Sequence, residues 1–202
     1  MIRRILIWDA PTRVFHWLQA ISFAGAYLTA ESERNRDIHM AFGYILLGLI
    51  VFRLLWGFLG TRYARFSSFL FKLGEIIAYL LSLIKGKPGH YLGHNPAGSV
   101  SVWLLLALGL FLCVTGVMAL QDDAVDAVVE LHGIATSIML AVILLHVIGV
   151  LVSSVLHREN LVRSMITGFK SAETDEGIRS SYNWLGVIML AAAVVFWFVF
   201  LR

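Results

Sequence analysis

The chain is divided into long apolar blocks, and that division limits its fold more than any single motif. A bilayer's hydrocarbon core takes about 20 apolar residues of helix to cross, and backbone polar groups inside it must pair within the segment. Five blocks approach that length, at about 15–30, 39–59, 97–120, 131–155 and 184–201. The first is the shortest and carries polar residues at its start. Of the 202 residues, 59% are hydrophobic and only 14% charged; soluble domains average about half apolar and about a quarter charged. The expectation is an all-α integral membrane protein with five spans.

Between the second and third blocks, apolar residues at 66, 69, 70, 73, 76, 77, 80, 81 and 84 fall at helical spacing, with Lys72, Glu75 and Ser82 on the other face. One-sided patterning of this kind predicts an amphipathic helix over 66–84 lying at the membrane surface. Reading it as a sixth span would turn the third and fourth blocks over and place an acidic loop on the inner side.

Charge in the loops sets the orientation. Three segments hold twelve of the sixteen basic residues: Arg3, Arg4 and Arg13; then Arg62, Arg65, Lys72, Lys85 and Lys87; then Arg158, Arg163, Lys170 and Arg179. With five spans all three lie on one side. The loop after the third block has Asp122, Asp123, Asp126 and Glu130 and no basic residue. The N-terminus is therefore expected in the cytoplasm, the acidic loop outside, and the net charge of +3 bears on topology rather than on nucleic acid. The N-terminal run Ile5-Leu6-Ile7-Trp8 is broken by Asp9 and Pro11 and does not read as a cleaved signal. The single cysteine, Cys113, excludes an intrachain disulfide and a multi-thiolate zinc site, and no C-x-x-C-H motif is present for covalent haem.

Four of the seven histidines lie in or at the ends of blocks: His16, His39, His132 and His146. Ionisable residues in spans are scarce and tend to be functional. His132 and His146 are 14 residues apart on one helix, which puts them roughly 21 Å apart along the axis but only about 40° apart around it. One helix thus offers two imidazoles on one face, one toward each membrane surface. Depth pairs His39 with His132 and His16 with His146. Neutral imidazole is a good haem-iron ligand, and bundles hold cofactors between facing helices. The spacing points to two haems, each clamped by one pair, with Gly43, Gly133 and Gly149 beside the ligands leaving room for a flat macrocycle. The bland reading is that these are structural histidines bonded between helices; four that match in depth by pairs weigh against it. Arg53, 14 residues after His39, has two open roles: pairing with a propionate of the inner haem, or snorkelling to the surface. Arg13 is a second candidate for a propionate.

The run Trp8-Asp9-Ala10-Pro11-Thr12-Arg13-Val14-Phe15-His16-Trp17 resembles the start of the b-type cytochrome subunits of nickel-iron hydrogenases and their relatives in the cytochrome b-561 superfamily. So do His39 with Gly43-Tyr44 and Phe52-Arg53-Leu54-Leu55-Trp56-Gly57, then Gly93-His94-Asn95-Pro96, and Leu156-His157-Arg158-Glu159-Asn160-Leu161-Val162-Arg163. The resemblance covers about residues 8–170. It implies a four-helix transmembrane bundle holding two haem b groups, with His16, His39, His132 and His146 as ligands. It also implies a quinone site near the cytoplasmic haem, for which Asn95 is the best match, with His94 beside it. A helix-capping role for Asn95 and Pro96 is equally open. The expected organisation is a diheme domain over 1–170, then a linker and an additional membrane helix over 171–202, a fifth span beyond the family's usual four.

The function expected is transmembrane electron transfer between quinone or quinol in the bacterial inner membrane and an external redox protein, either a hydrogenase-like enzyme or a c-type cytochrome. The direction of flow is not legible. One rival is a self-contained oxidoreductase acting on a small oxidant such as superoxide, for which only Arg34 and Arg36 offer outer positive charge, offset by Glu31, Glu33 and Asp37. Another is a non-redox membrane protein, against which stands the lack of an inverted repeat of broken helices. His90 and His157 are expected in loops.

Overall fold

The computed structural model describes residues 3–121 and 125–202; Asp122 and Asp123 of the acidic loop lie outside them. Seven helices follow in order: α1 Ala10–Thr29, α2 Arg36–Leu59, α3 Leu73–Ile84, α4 Pro96–Ala119, α5 Asp126–Leu156, α6 Leu161–Thr167 and α7 Asn183–Phe200. Two short strands, β1 (Arg3–Leu6) and β2 (Phe169–Ala172), pair antiparallel. Four helical stretches are long and apolar enough to cross a membrane: Glu33–Leu59, Pro96–Ala119, Asp126–Leu156 and Asn183–Phe200. At 20 residues α1 is long enough, but Thr12, Arg13, His16, Gln19 and Ser22 make it less apolar.

Caps explain where helices start. The Asp9 carboxylate accepts from the Thr12 amide at 2.7 Å, and Pro11 stands in the opening turn, where a missing N–H is harmless. These signals carry α1 back to Ala10, five residues ahead of the block at 15–30, so His16 lies in the second turn rather than at the helix start. Asn95 caps α4 in the same way, accepting from the Gly98 amide at 2.7 Å with Pro96 following. The amphipathic segment departs from its expected span. Phe66–Phe69 form a 3-10 turn, Leu70 is extended, and the helix begins only at Leu73. Phe66 and Phe69 are buried in the core among Phe15, Leu46, Leu49, Ile50, Leu106 and Cys113, and this inward anchoring breaks the stripe.

The helices pack as two antiparallel pairs, α1 with α2 and α4 with α5, joined mainly through α2 and α4. A Cβ at Gly25 would overlap the Phe42 ring, so α1 and α2 approach closely only because Gly25 has none. On the flank, α7 meets α1 at Gly186, whose Cα side faces Ala10 and Val14, and α2 through Phe42–Trp197 and Tyr44–Phe200 ring contacts at 4.7 and 5.5 Å.

One end of the bundle is tied together by segments distant in sequence. β1 pairs with β2 in the register Arg3↔Ala172 to Leu6↔Phe169. Tyr63 donates to the Glu176 carbonyl at 2.9 Å, and Lys170 donates to the Tyr91 carbonyl at 3.2 Å. The basic segments around Arg3, Arg62 and Lys170 thus meet at a single ribbon end. Below it, Asp9 is fully buried; besides capping α1, it accepts from Trp56 Nε1 at 3.1 Å and Thr61 Oγ1 at 2.6 Å. One carboxylate therefore fixes the start of α1 to the end of α2.

Losing that carboxylate removes a cap worth about 0.5–2 kcal/mol and strands buried donors at about 1–3 kcal/mol. Asp9→Ala is expected to lower the unfolding midpoint in detergent, followed by circular dichroism, with Asp9→Asn affected less. An unchanged midpoint in Asp9→Ala would contradict this account.

Candidate functional site

Four histidines on three helices form two facing pairs. The His16 and His146 ring centres are 6.4 Å apart, and those of His39 and His132 are also 6.4 Å apart. His16 is in the second turn of α1 and His146 ten residues before the end of α5, both toward the ribbon end. His39 is in the first turn of α2 and His132 in the second turn of α5, both toward the far end. Two metal–imidazole bonds of about 2.0–2.1 Å on opposite sides of one metal would put the ring centres roughly 6.3 Å apart. Both pairs have that spacing. Among the described residues no group of three or more His, Cys, Asp or Glu could hold a metal ion. Donors in twos are what haem iron takes, since the macrocycle supplies the others.

Further observations suit a haem. His39 Nδ1 donates to the Ala26 carbonyl at 2.8 Å, and His132 Nδ1 is 2.9 Å from Thr115 Oγ1, which leaves Nε2 of each ring free to bind a metal. A Cβ at Gly43, one turn after His39, or at Gly133 or Gly149 beside the α5 histidines, would meet nothing within 4 Å. His16 Nδ1 and Arg53 Nη1 are buried without a hydrogen-bond partner among the described residues.

Arg53 does not snorkel. It is 3% exposed, its guanidinium 4.9 Å from the Phe66 ring centre and 5.9 Å from that of Phe69. The buried Asp9 carboxylate acts on its charge, and its unpartnered Nη1 leaves room for a further anion, which a carboxylate such as a haem propionate fits. Arg13 is engaged elsewhere: its Nη1 donates to the Ile166 carbonyl at 2.7 Å at the end of α6, and Trp17 Nε1 donates to the Met165 carbonyl at 3.3 Å.

His94 is clasped between Trp8 and Phe69, with ring centres at 4.8 and 4.6 Å, and its Nδ1 is buried without a partner. Burial pushes its pKa down to about 3, with Arg53 and then His146, Lys170 and His16 adding to the effect. His94 stands in the wall of a cavity of about 790 Å³ lined also by Tyr63, Phe71, His90, Tyr91 and Gly93. Asn95, its neighbour, uses its carboxamide oxygen to cap α4. His90 and His157 lie 5.4 Å apart at the ribbon end, where Glu159 links His90 and Lys170 at 3.3 and 3.2 Å.

Sequence reasoning did not reach the supports of these groups. Thr115 was visible as a hydroxyl inside an apolar helix, but the Ala26 carbonyl has no side-chain signal. Phe66 and Phe69, which the apolar spacing places on a surface stripe, instead face the Arg53 guanidinium.

A family model described as prokaryotic cytochrome b561 matches residues 7–168. Similar curated proteins include three named "Probable Ni/Fe-hydrogenase B-type cytochrome subunit", or the same with "hydrogenase 1". That of Rhizobium leguminosarum bv. viciae is 24% identical, covering 84% of this chain and 91% of its own. That of Azotobacter vinelandii is 25% identical, covering 85% and 90%. That of Escherichia coli K12 is 21% identical, covering 82% and 90%. No solved structure matches the chain at the same stringency.

The His94 environment has a pH signature. Its folded pKa of about 3 lies below the unfolded 6.5, so only the unfolded chain takes up a proton between them. Stability from the neutral ring is complete above about pH 6.5 and is lost as pH falls toward 3, by roughly 2–4 kcal/mol for this partly exposed ring. Detergent unfolding at pH 7.5 and 4.5 should show a smaller acid loss in His94→Gln than in the parent chain. Equal losses would place His94 in water.

Proposed function

The chain belongs to the prokaryotic cytochrome b561 family, and from that membership we propose that it carries electrons through the membrane by way of two haem b groups. As a b-type cytochrome it takes haem b as its cofactor. The observation that carries the two-centre reading is the pair of 6.4 Å imidazole separations. In this reading His39 with His132 would hold one group and His16 with His146 the other, and Arg53 would pair with a propionate of the second. Haem b supplies a one-electron couple at each position.

The protein's part is to hold those groups dry, oriented and spaced. α5 sets the spacing, with its two histidines roughly 21 Å apart along the axis. The ribbon end, with twelve of the sixteen basic residues in its segments, faces the cytoplasm of a bacterial inner membrane by the positive-inside rule. α1, α2, α4 and α5 span, α7 makes a fifth span, and α3 lies in the inner interface with Leu73, Ile77, Leu80, Leu81 and Ile84 exposed to lipid.

A quinone occupies the cavity beside His94, within reach of the inner pair. His94, which lines the cavity, bonds a quinone oxygen, and the aromatic walls at Tyr63, Phe71 and Tyr91 take the ring. At the far end the partner is an external hydrogenase-like enzyme; the relatives' names support that class.

Mixing the oxidised, haem-loaded protein with a short-tailed quinol in a stopped-flow spectrometer tests the quinone link. The b-haem band should rise on mixing. His94→Leu should slow the rise about tenfold, the equivalent of one lost hydrogen bond, at unchanged haem content. A protein reducible by dithionite but untouched by quinol would remove quinone from the account.

A further inference from the structure

The two histidine pairs differ in what stands behind them. At the far end both imidazoles are backed by an acceptor. His39 Nδ1 donates to the Ala26 carbonyl at 2.8 Å. Thr115 Oγ1 lies 2.9 Å from the Phe111 carbonyl and 2.9 Å from His132 Nδ1; with His132 bound to metal through Nε2, Nδ1 carries the proton and the hydroxyl, donating to the carbonyl, accepts it. Gly116 leaves room for that ring: a Cβ there would stand 3.3 Å from His132 Cε1. At the ribbon end His16 Nδ1 is buried with no partner among the described residues, and the Arg53 guanidinium, 3% exposed, brings a cation whose Nη1 is unpartnered.

These differences act on electron affinity in one direction. An acceptor behind Nδ1 makes an imidazole more basic and favours the more highly charged, oxidised metal. A buried cation favours the reduced state, which has one positive charge fewer. We propose that Thr115 and the Ala26 carbonyl make the His39–His132 centre the lower-potential of the two, and that Arg53 makes the His16–His146 centre the higher. The inference rests on reading the pairs as haem ligands. An electron passing between the centres oxidises one by one electron and reduces the other by one, with no proton or bond exchanged. Thr115 is a positioning residue here, acting only through His132.

The test is an optical redox titration of the haem-loaded protein, with haem content measured on each sample. The parent chain should titrate in two steps. Thr115→Val should raise the lower step and leave the upper one in place. An effect of about tenfold on one reduction equilibrium is about 59 mV for a single electron. Thr115→Ser, which keeps the acceptor, should match the parent, and Arg53→Gln should lower only the upper step. Should Thr115→Val not retain haem, the one-centre variants decide: the step that survives in His16→Ala must be the lower, and that in His39→Ala the upper. Two haems with both steps unmoved in Thr115→Val, or the reverse assignment, would overturn the inference. Fewer than two haems in the parent chain would instead overturn the ligand reading beneath it.

Discussion

Everything in this bundle is arranged around a single helix that must present two imidazoles to two different partners. α5 runs unbroken for 31 residues, so positions 132 and 146 hold a fixed relation of about four turns with a small angular offset. The partners then have to come from two helices running opposite ways. α1 and α2 meet that need as an antiparallel pair: His16 sits near the ribbon end of α1 and His39 near the far end of α2. Gly25 lets these helices close on one another, and Asp9 fixes the start of the first to the end of the second. A turn of slippage between α1 and α2 would shift one histidine by about 5.4 Å along the axis, nearly the whole separation within a pair.

The second constraint is the charge and hydrogen-bonding capacity left open inside. Arg53 and His94 are placed in apolar surroundings, walled by Phe66, Phe69 and Trp8, with nitrogens that no described residue satisfies. Structures rarely keep such groups without a use for them. The far end is different, because there the imidazole nitrogens turned away from the pair have acceptors. The asymmetry suits a conduit with unlike ends, one anchoring rigid ligands and the other also handling anionic or quinoid groups.

Much of this was written in the sequence wherever a physical rule acts locally. Apolar length gave the helices, and depth along them gave the two histidine pairings whose ring centres lie 6.4 Å apart. The start of α1 was readable too: Asp9 and Pro11 are a cap and an opening-turn residue, but hydropathy, which weighs the polar stretch to His16, drew the boundary later. What was not legible depends on distant contacts. The β1–β2 ribbon joins four-residue strands more than 160 positions apart, too short for any periodicity. The break at Leu70 follows from Phe66 and Phe69 turning inward to Arg53, a tertiary effect on a regular stripe. Arg53 itself left two roles open until its burial removed one of them.

The claim at the centre is that two histidine pairs hold two haems, and haem stoichiometry read with low-temperature EPR tests it most directly. Pyridine haemochrome assay of the purified chain should give two b haems, both low-spin as expected of paired imidazoles. Replacing any one of His16, His39, His132 or His146 by Ala should cost one centre or turn it high-spin, while His90, His94 and His157 can be replaced without that loss. A chain that binds one haem or none, or that keeps both low-spin signals when one of the four is removed, would contradict the account.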